Sequence, residues 1–241
     1  MQSFRANSGP FEQQLRFSVE EIDRMCRDAL TREKLLPSAP EAIRIDRFVE
    51  KHFNCTISYE DLGEGILGCT LFNPNGSVKV ICISSRLDDD TAVGQRRERA
   101  TLAHEAGHGL MHPSLFMASL EQGRLNIAAP AKENLDFKER RILCRDTDVK
   151  EAVGTQRGYD GRWWEWQANR AIGGLLLPRT LVQKAVVDFL EHAPVTGSAT
   201  LRANARDAAA VHVADVFEVN PAVARIRLAE MFPDRGGQSE F

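Results

Sequence analysis

An α+β fold is predicted by three features of this 241-residue chain. Two β-rich runs flank a turn near residue 75, two apolar segments with helical periodicity follow, and amphipathic stretches with start and stop signals lie towards both ends. Residues 1–14 are polar and are expected to be flexible. Ser18 followed by Glu21 has the spacing of a capping box and opens a helix to about residue 30; Ser38, Pro40 and Glu41 repeat that signal for a helix ending near His52. Residues 55–59 read as a short strand. The runs 65–72 and 78–84, joined by Asn73-Pro74-Asn75-Gly76, read as a hairpin, so that a small antiparallel sheet is expected.

Residues 93–112 lack proline and carry Leu102, Ala103, Ala106, Leu110 and Met111 at helical spacing, the pattern of a buried helix. Residues 113–161 are charge-rich and weakly periodic and read as an insertion with one short helix at 133–143. A second apolar helix is expected over 162–177, ended by Pro178. Amphipathic helices follow over 180–191, 202–217 and 221–232. The expected organisation is a flexible N-terminus (1–14), a core domain (15–180, with 113–161 inserted) and a C-terminal helical region (181–241).

With 43% apolar and 27% charged residues the chain has enough material for a sizeable core. A net charge of -3 provides no field that would draw the whole molecule onto nucleic acid or an anionic membrane. No signal-peptide core follows Met1 and no apolar run reaches the roughly 18 residues of a membrane span, so a cytoplasmic location is expected. The cysteines number five, an odd count, and none are spaced as CxxC, which fits reduced thiols rather than a disulfide framework or a cysteine zinc finger.

The segment His104-Glu105-Ala106-Gly107-His108 carries the chemistry. Imidazoles four apart share one helix face and can reach a single zinc ion at about 2.0–2.1 Å. Glu105 is offset by about 100° around the helix, where its carboxylate reaches a water on the ion rather than the ion itself. A catalytic zinc needs three protein ligands and an open position. His112 lies roughly 12 Å along the axis from His104 and cannot share the ion. The metzincin extension requires Gly at 111 and His at 114, where the chain has Met111 and Ser114. Glu165, one acid within Trp163-Trp164-Glu165-Trp166-Gln167-Ala168-Asn169, is the strongest third ligand; its alternative role is a carboxylate reaching solvent from a helix edge. Asn169, one turn later, can accept a ring N–H from a ligand histidine and set its tautomer.

At these residues the chain resembles the ImmA/IrrE family of gluzincin-like metallopeptidases. The resemblance rests on residues 97–112 (Arg-Glu-Arg-Ala-Thr-Leu-Ala-His-Glu-Ala-Gly-His-Gly-Leu-Met-His) and 165–178 (Glu-Trp-Gln-Ala-Asn-Arg-Ala-Ile-Gly-Gly-Leu-Leu-Leu-Pro), with support from the hairpin and residues 213–228. It implies a zincin-like α+β core, zinc on His104, His108 and Glu165, and peptide-bond hydrolysis with Glu105 as base. It also implies a protein substrate, commonly a repressor or stress regulator. The interval from His108 to Glu165 is longer than in many members, which leaves the substrate-facing rim outside the analogy.

Several further expectations complete the reading. Tyr159, Arg157, Arg162 and His112 are the candidates for stabilising a developing oxyanion, with a supporting role for the helix favoured for His112. The strand at 80–84 is placed beside the active helix, with an edge available to an extended peptide. Cys144 is either a thiolate able to cap the open metal position or, the favoured reading, a small apolar residue packed under a loop. The tryptophans read as core. Two rivals stand beside the peptidase: a metal-binding sensor on the same fold, and a helix-turn-helix regulator built from residues 208–232. Residues 201–241 hold five Arg and no Lys against six acidic residues, which is poor for phosphate attraction and makes nucleic acid an unfavoured partner.

Overall fold

A computed structural model describes residues 2–5, 13–114, 135–136, 141–145, 162–192 and 199–233. Within the segment expected to be flexible, β1 (Gln2–Arg5) pairs antiparallel with β2 (Gln13–Arg16) as an N-terminal hairpin. Helix α1 (Val19–Arg32) begins at the capping box read from the sequence: Glu21 N donates to Ser18 Oγ at 3.2 Å and Ser18 N to Glu21 Oε2 at 2.9 Å. Its inner face buries Ile22, Cys26, Ala29 and Leu30.

Helix α2 (Ile45–Phe53) starts well after the expected Ser38 cap. Ser38 is used otherwise, its carbonyl accepting from Lys184 Nζ at 3.0 Å. Ile43 is completely buried ahead of the helix, and its carbonyl accepts from Arg99 Nη2 at 3.0 Å. Tertiary contacts thus hold residues 38–44 out of the helix that the local signal favours.

The sheet has the order β3-β5-β4-β7-β6, formed by β3 (Thr56–Glu60), β4 (Ile66–Phe72), β5 (Val78–Ser84), β6 (Leu135–Asp136) and β7 (Arg141–Arg145). It is mixed rather than antiparallel, because β3 runs parallel to β5. The β4–β5 hairpin is the one expected, its turn closed by Asn73 N donating to Ser77 O at 2.8 Å. With β7 on the outer side of β4, the outer side of β5 is what remains for β3. Strand β5 is therefore interior, and the edge expected there for a peptide is taken. The short helix expected at 133–143 is replaced by β6 and β7, so the insertion returns to the sheet. In β7, Ile142 and Cys144 are buried while Arg141 and Leu143 are half-buried, the two-residue period of a strand.

Helices α3 (Ala92–Met111) and α4 (Trp163–Leu176) pack together, and α3 lies on β4 and β5. Thr91 caps α3, accepting from Gly94 N at 3.1 Å. The two helices meet at Gly107: a β-carbon there would lie 2.7 Å from Ala171 Cβ and 3.1 Å from Ala168 Cα. After Pro178, α5 (Arg179–Ala185) is shorter than expected, and the chain turns into β8 (Leu190–His192), paired with β9 (Ala199–Leu201). Burial of Val186 and Leu201 and the pairing of Leu190 with Leu201 outweigh helical propensity in this segment.

Helices α6 (Arg206–Val216) and α7 (Pro221–Met231) are joined through Glu218 in the left-handed region, φ 53°. They turn Ala209, Ala210, Val213, Ala214, Phe217, Val219, Ala224 and Leu228 into the same core as the sheet. From α7, Arg227 is buried and donates to Asp23 of α1 at 2.6 Å and to Leu177 O at 3.0 Å. Among the described residues no helix is long and apolar enough to cross a membrane.

The contact at Gly107 leads to the first prediction. Gly107→Ala forces α3 and α4 apart at a site with no spare volume and lowers stability by about 1–3 kcal/mol, despite the better helix propensity of alanine. Urea denaturation of the variant beside the wild type measures it; equal midpoints would show that the helices part freely.

Candidate metal centre

Helix α3 presents His104 and His108 one turn apart, and α4 carries Glu165 across to them. All three are at most 4% exposed. His104 Nε2 and His108 Nε2 are 3.0 Å apart, and Glu165 Oε2 stands 3.2 Å from the first and 3.6 Å from the second. Three ligands of a tetrahedral zinc at about 2.0–2.1 Å lie roughly 3.3 Å from one another, so the spacing fits. Neither Glu165 oxygen takes part in a well-formed hydrogen bond, although both are buried. Glu165 is thus no helix-edge carboxylate reaching solvent; its charge is aimed at the two imidazoles.

The groups around the cluster orient it. His104 Nδ1 meets Asn169 Oδ1 at 3.0 Å, the contact anticipated from the spacing of Glu165 and Asn169; a proton on that Nδ1 leaves the Nε2 lone pair for a metal. His108 Nδ1 lies 2.9 Å from His112 Nδ1, and His112 Nε2 lies 3.0 Å from Gln167 Oε1. His112, the C-cap of α3, stands outside the cluster and backs His108, edge-on to Trp163 with ring centroids 5.7 Å apart. Trp163 and Trp164 are core residues, as expected, whereas Trp166 is 38% exposed.

Glu105 is fully buried beneath β4. Its Oε2 accepts from Thr70 Oγ1 at 2.6 Å, while Oε1 has no hydrogen-bond partner. Gly68 makes room for it, since a β-carbon there would stand 2.9 Å from Glu105 Oε1. Burial raises the Glu105 carboxyl to about 8, against the lowering effects of His104 and Thr70. Burial also acts on Glu165 in that direction, but the facing His108 and His104 outweigh it and hold Glu165 well below the usual carboxylate range. His104 is raised despite its burial, by Cys144 and Glu165. His112 is lowered to about 3, by burial first and then by His108, so it stays neutral.

Cys144 is a buried residue, as the favoured reading had it, but it stands in a strand. It lies in β7 with its Sγ among the ligand atoms of His104 and Glu105, all within 4.8 Å of one another, and burial pushes its thiol up to about 12. Arg162 stands at the N-terminal boundary of α4. Tyr159 and Arg157, the other oxyanion candidates, lie outside the described residues. Thr70, Gln167 and Gly68 were not singled out from the sequence. Gln167 carried a usable signal, a polar residue two positions from Glu165 in an apolar helix; Thr70 and Gly68 become visible only when β4 is laid over α3. No known family model matches the chain, and no curated protein matches it.

The burial of Glu105 predicts a pH dependence in the metal-free protein. A carboxyl raised from 4.5 to about 8 in the folded state stabilises the fold fully below 4.5, and that contribution is lost as pH rises through 8. Glu105→Gln imitates the protonated form. Its advantage over wild type is expected to grow between those limits by on the order of 1 kcal/mol per pH unit. Thermal unfolding across that range in the presence of a chelator tests it; parallel curves would place the carboxyl in a solvated setting.

Proposed function

We propose that the protein is a zinc-dependent endopeptidase of the cytoplasm, with His104, His108 and Glu165 as metal ligands and Glu105 as general base. The observation that carries this reading is the convergence of three buried ligand atoms at tetrahedral spacing, next to a buried carboxylate with one oxygen uncommitted. Two imidazole nitrogens and one carboxylate, with a position left open, suit zinc in a hydrolytic role. The resemblance to ImmA/IrrE peptidases supports a regulatory protein, such as a repressor, as substrate.

The chemistry divides cleanly between ion and protein. A bound zinc ion supplies Lewis acidity, making water a competent nucleophile near neutral pH and polarising the scissile carbonyl. Glu105 Oε1 takes the proton from the attacking water and later delivers it to the leaving amine, while Thr70 keeps Oε2 from rotating. Asn169 holds the ring of His104. Burial of the whole cluster keeps bulk water from competing for the carboxylate. No covalent enzyme intermediate is required. A sensor on this fold has no use for a buried base beside the ligands, and α7, the second helix of the helix-turn-helix alternative, commits Arg227 to the interior rather than to phosphate.

Metal content and cleavage of candidate regulators test the proposal together. Wild type is expected to hold about one zinc per chain, Glu165→Ala to lose it, and Glu105→Gln to keep it while cleavage falls by about 10²-fold or more. Zinc retained in full by Glu165→Ala would remove that residue from the ligand set. Undiminished cleavage by Glu105→Gln would place the base elsewhere.

A further inference from the structure

The hydrogen bonds behind His108 do not end at His112. Gln167, which joins His112 Nε2 through its Oε1, donates from its Nε2 to the carbonyl of Leu15 at 2.6 Å, and Leu15 lies in β2 of the N-terminal hairpin. Four groups therefore form one line: Leu15 O, the Gln167 amide, the His112 ring and the His108 ring. They come from three separate segments, residues 13–16, α3 and α4.

The direction of the protons on Gln167 and His112 follows from the last member of the line. A peptide carbonyl only accepts, so the Gln167 atom facing Leu15 is the amide nitrogen and the atom facing His112 is the carbonyl oxygen. An acceptor opposite His112 Nε2 requires a proton on that nitrogen. A nitrogen that faces a metal must be unprotonated, so the ring proton of His108 sits on Nδ1, and the 2.9 Å contact is satisfied when His112 Nδ1 accepts it. His108 Nε2 is left as a lone pair, facing His104 Nε2 and Glu165. Reversing the line would bring the oxygens of Gln167 and Leu15 together at 2.6 Å with no hydrogen between them.

We infer that His112 and Gln167 are positioning residues of the metal centre, transmitting the polarity of the Leu15 carbonyl to His108 and holding it in the tautomer that directs Nε2 at the metal. This rests on the metal-ligand reading of His104, His108 and Glu165. It makes the N-terminal hairpin a structural part of the site: β2 supplies the fixed acceptor from which the orientation of a ligand on α3 is set. Partners behind ligand histidines generally alter metal affinity by about 10–100-fold when removed.

The test uses the full chain loaded with zinc and labelled with ¹⁵N-histidine. Long-range proton–nitrogen correlation spectra report which ring nitrogen of each histidine is protonated. His112 is expected to carry its proton on Nε2 and His108 on Nδ1. Gln167→Met, close in volume but with neither donor nor acceptor, is expected to lose this pattern at His112 and to bind zinc about 10–100-fold more weakly, with unfolding still cooperative. A wild type that binds zinc with His112 protonated on Nδ1 overturns the inference and leaves the metal centre standing, as does a Gln167→Met affinity within about twofold of wild type. A wild type that binds no zinc, judged by the same titration, removes the metal reading and the inference together.

Discussion

Everything in the site depends on how closely α3 can approach α4. The histidines belong to one helix and Glu165 to the other, so the triangle of ligand atoms exists only while Gly107 lies against Ala168 and Ala171. Three residues with little or no side chain let the backbones come together, and Ala103, Ala106, Ile172 and Leu175 of the same two helices are buried as well. The sheet applies the same constraint from the other side. Gly68 lets β4 close over Glu105, and Thr70 then finds the carboxylate within hydrogen-bonding reach.

This packing places an unusual density of polar groups where water is excluded. His104, Glu105, His108, His112, Glu165 and Gln167 are all buried. An apolar interior penalises such groups unless each finds a partner. Asn169, Thr70 and the line ending at Leu15 satisfy the outward-facing atoms. The inward-facing atoms, two imidazole nitrogens and the Glu165 carboxylate, stand within 3.6 Å of one another. The cluster could therefore hold a metal ion, and an ion bound there would link its binding free energy to folding.

Much of this was legible in the sequence because the signals were local. The capping box at Ser18, the hairpin around Asn75, and the α3 and α4 segments each carry their period or end signal within a few residues. The spacing of His104 and His108 on one helix and an acid in a second apolar helix pointed to the residues that the fold brings together. The reading was weaker wherever the deciding partner is distant in the chain. Strand β7 has only five residues and is recognisable by its neighbour β4, while β3 takes its parallel place because other edges are occupied. The late start of α2 reflects Ile43 and Arg99 rather than residues 38–44 themselves. The edge expected along β5 was lost for the same reason, since alternation in one strand says nothing about its neighbours.

Arg99 gives the C-terminal helices a standing that their position in the chain hides. Five residues ahead of His104 on α3, its guanidinium donates to the carbonyls of Ile43 at 3.0 Å, Phe217 at 3.3 Å and Glu218 at 3.2 Å. These carbonyls belong to the entry of α2 and to the bend between α6 and α7. The bend is thus pinned to α3, and α6 and α7 do not behave as a module that can be trimmed or exchanged. A chain ending after α5 would leave a largely buried cation without two of its acceptors and would uncover apolar residues of the shared core, so the boundaries of any minimal folding unit must extend through α7.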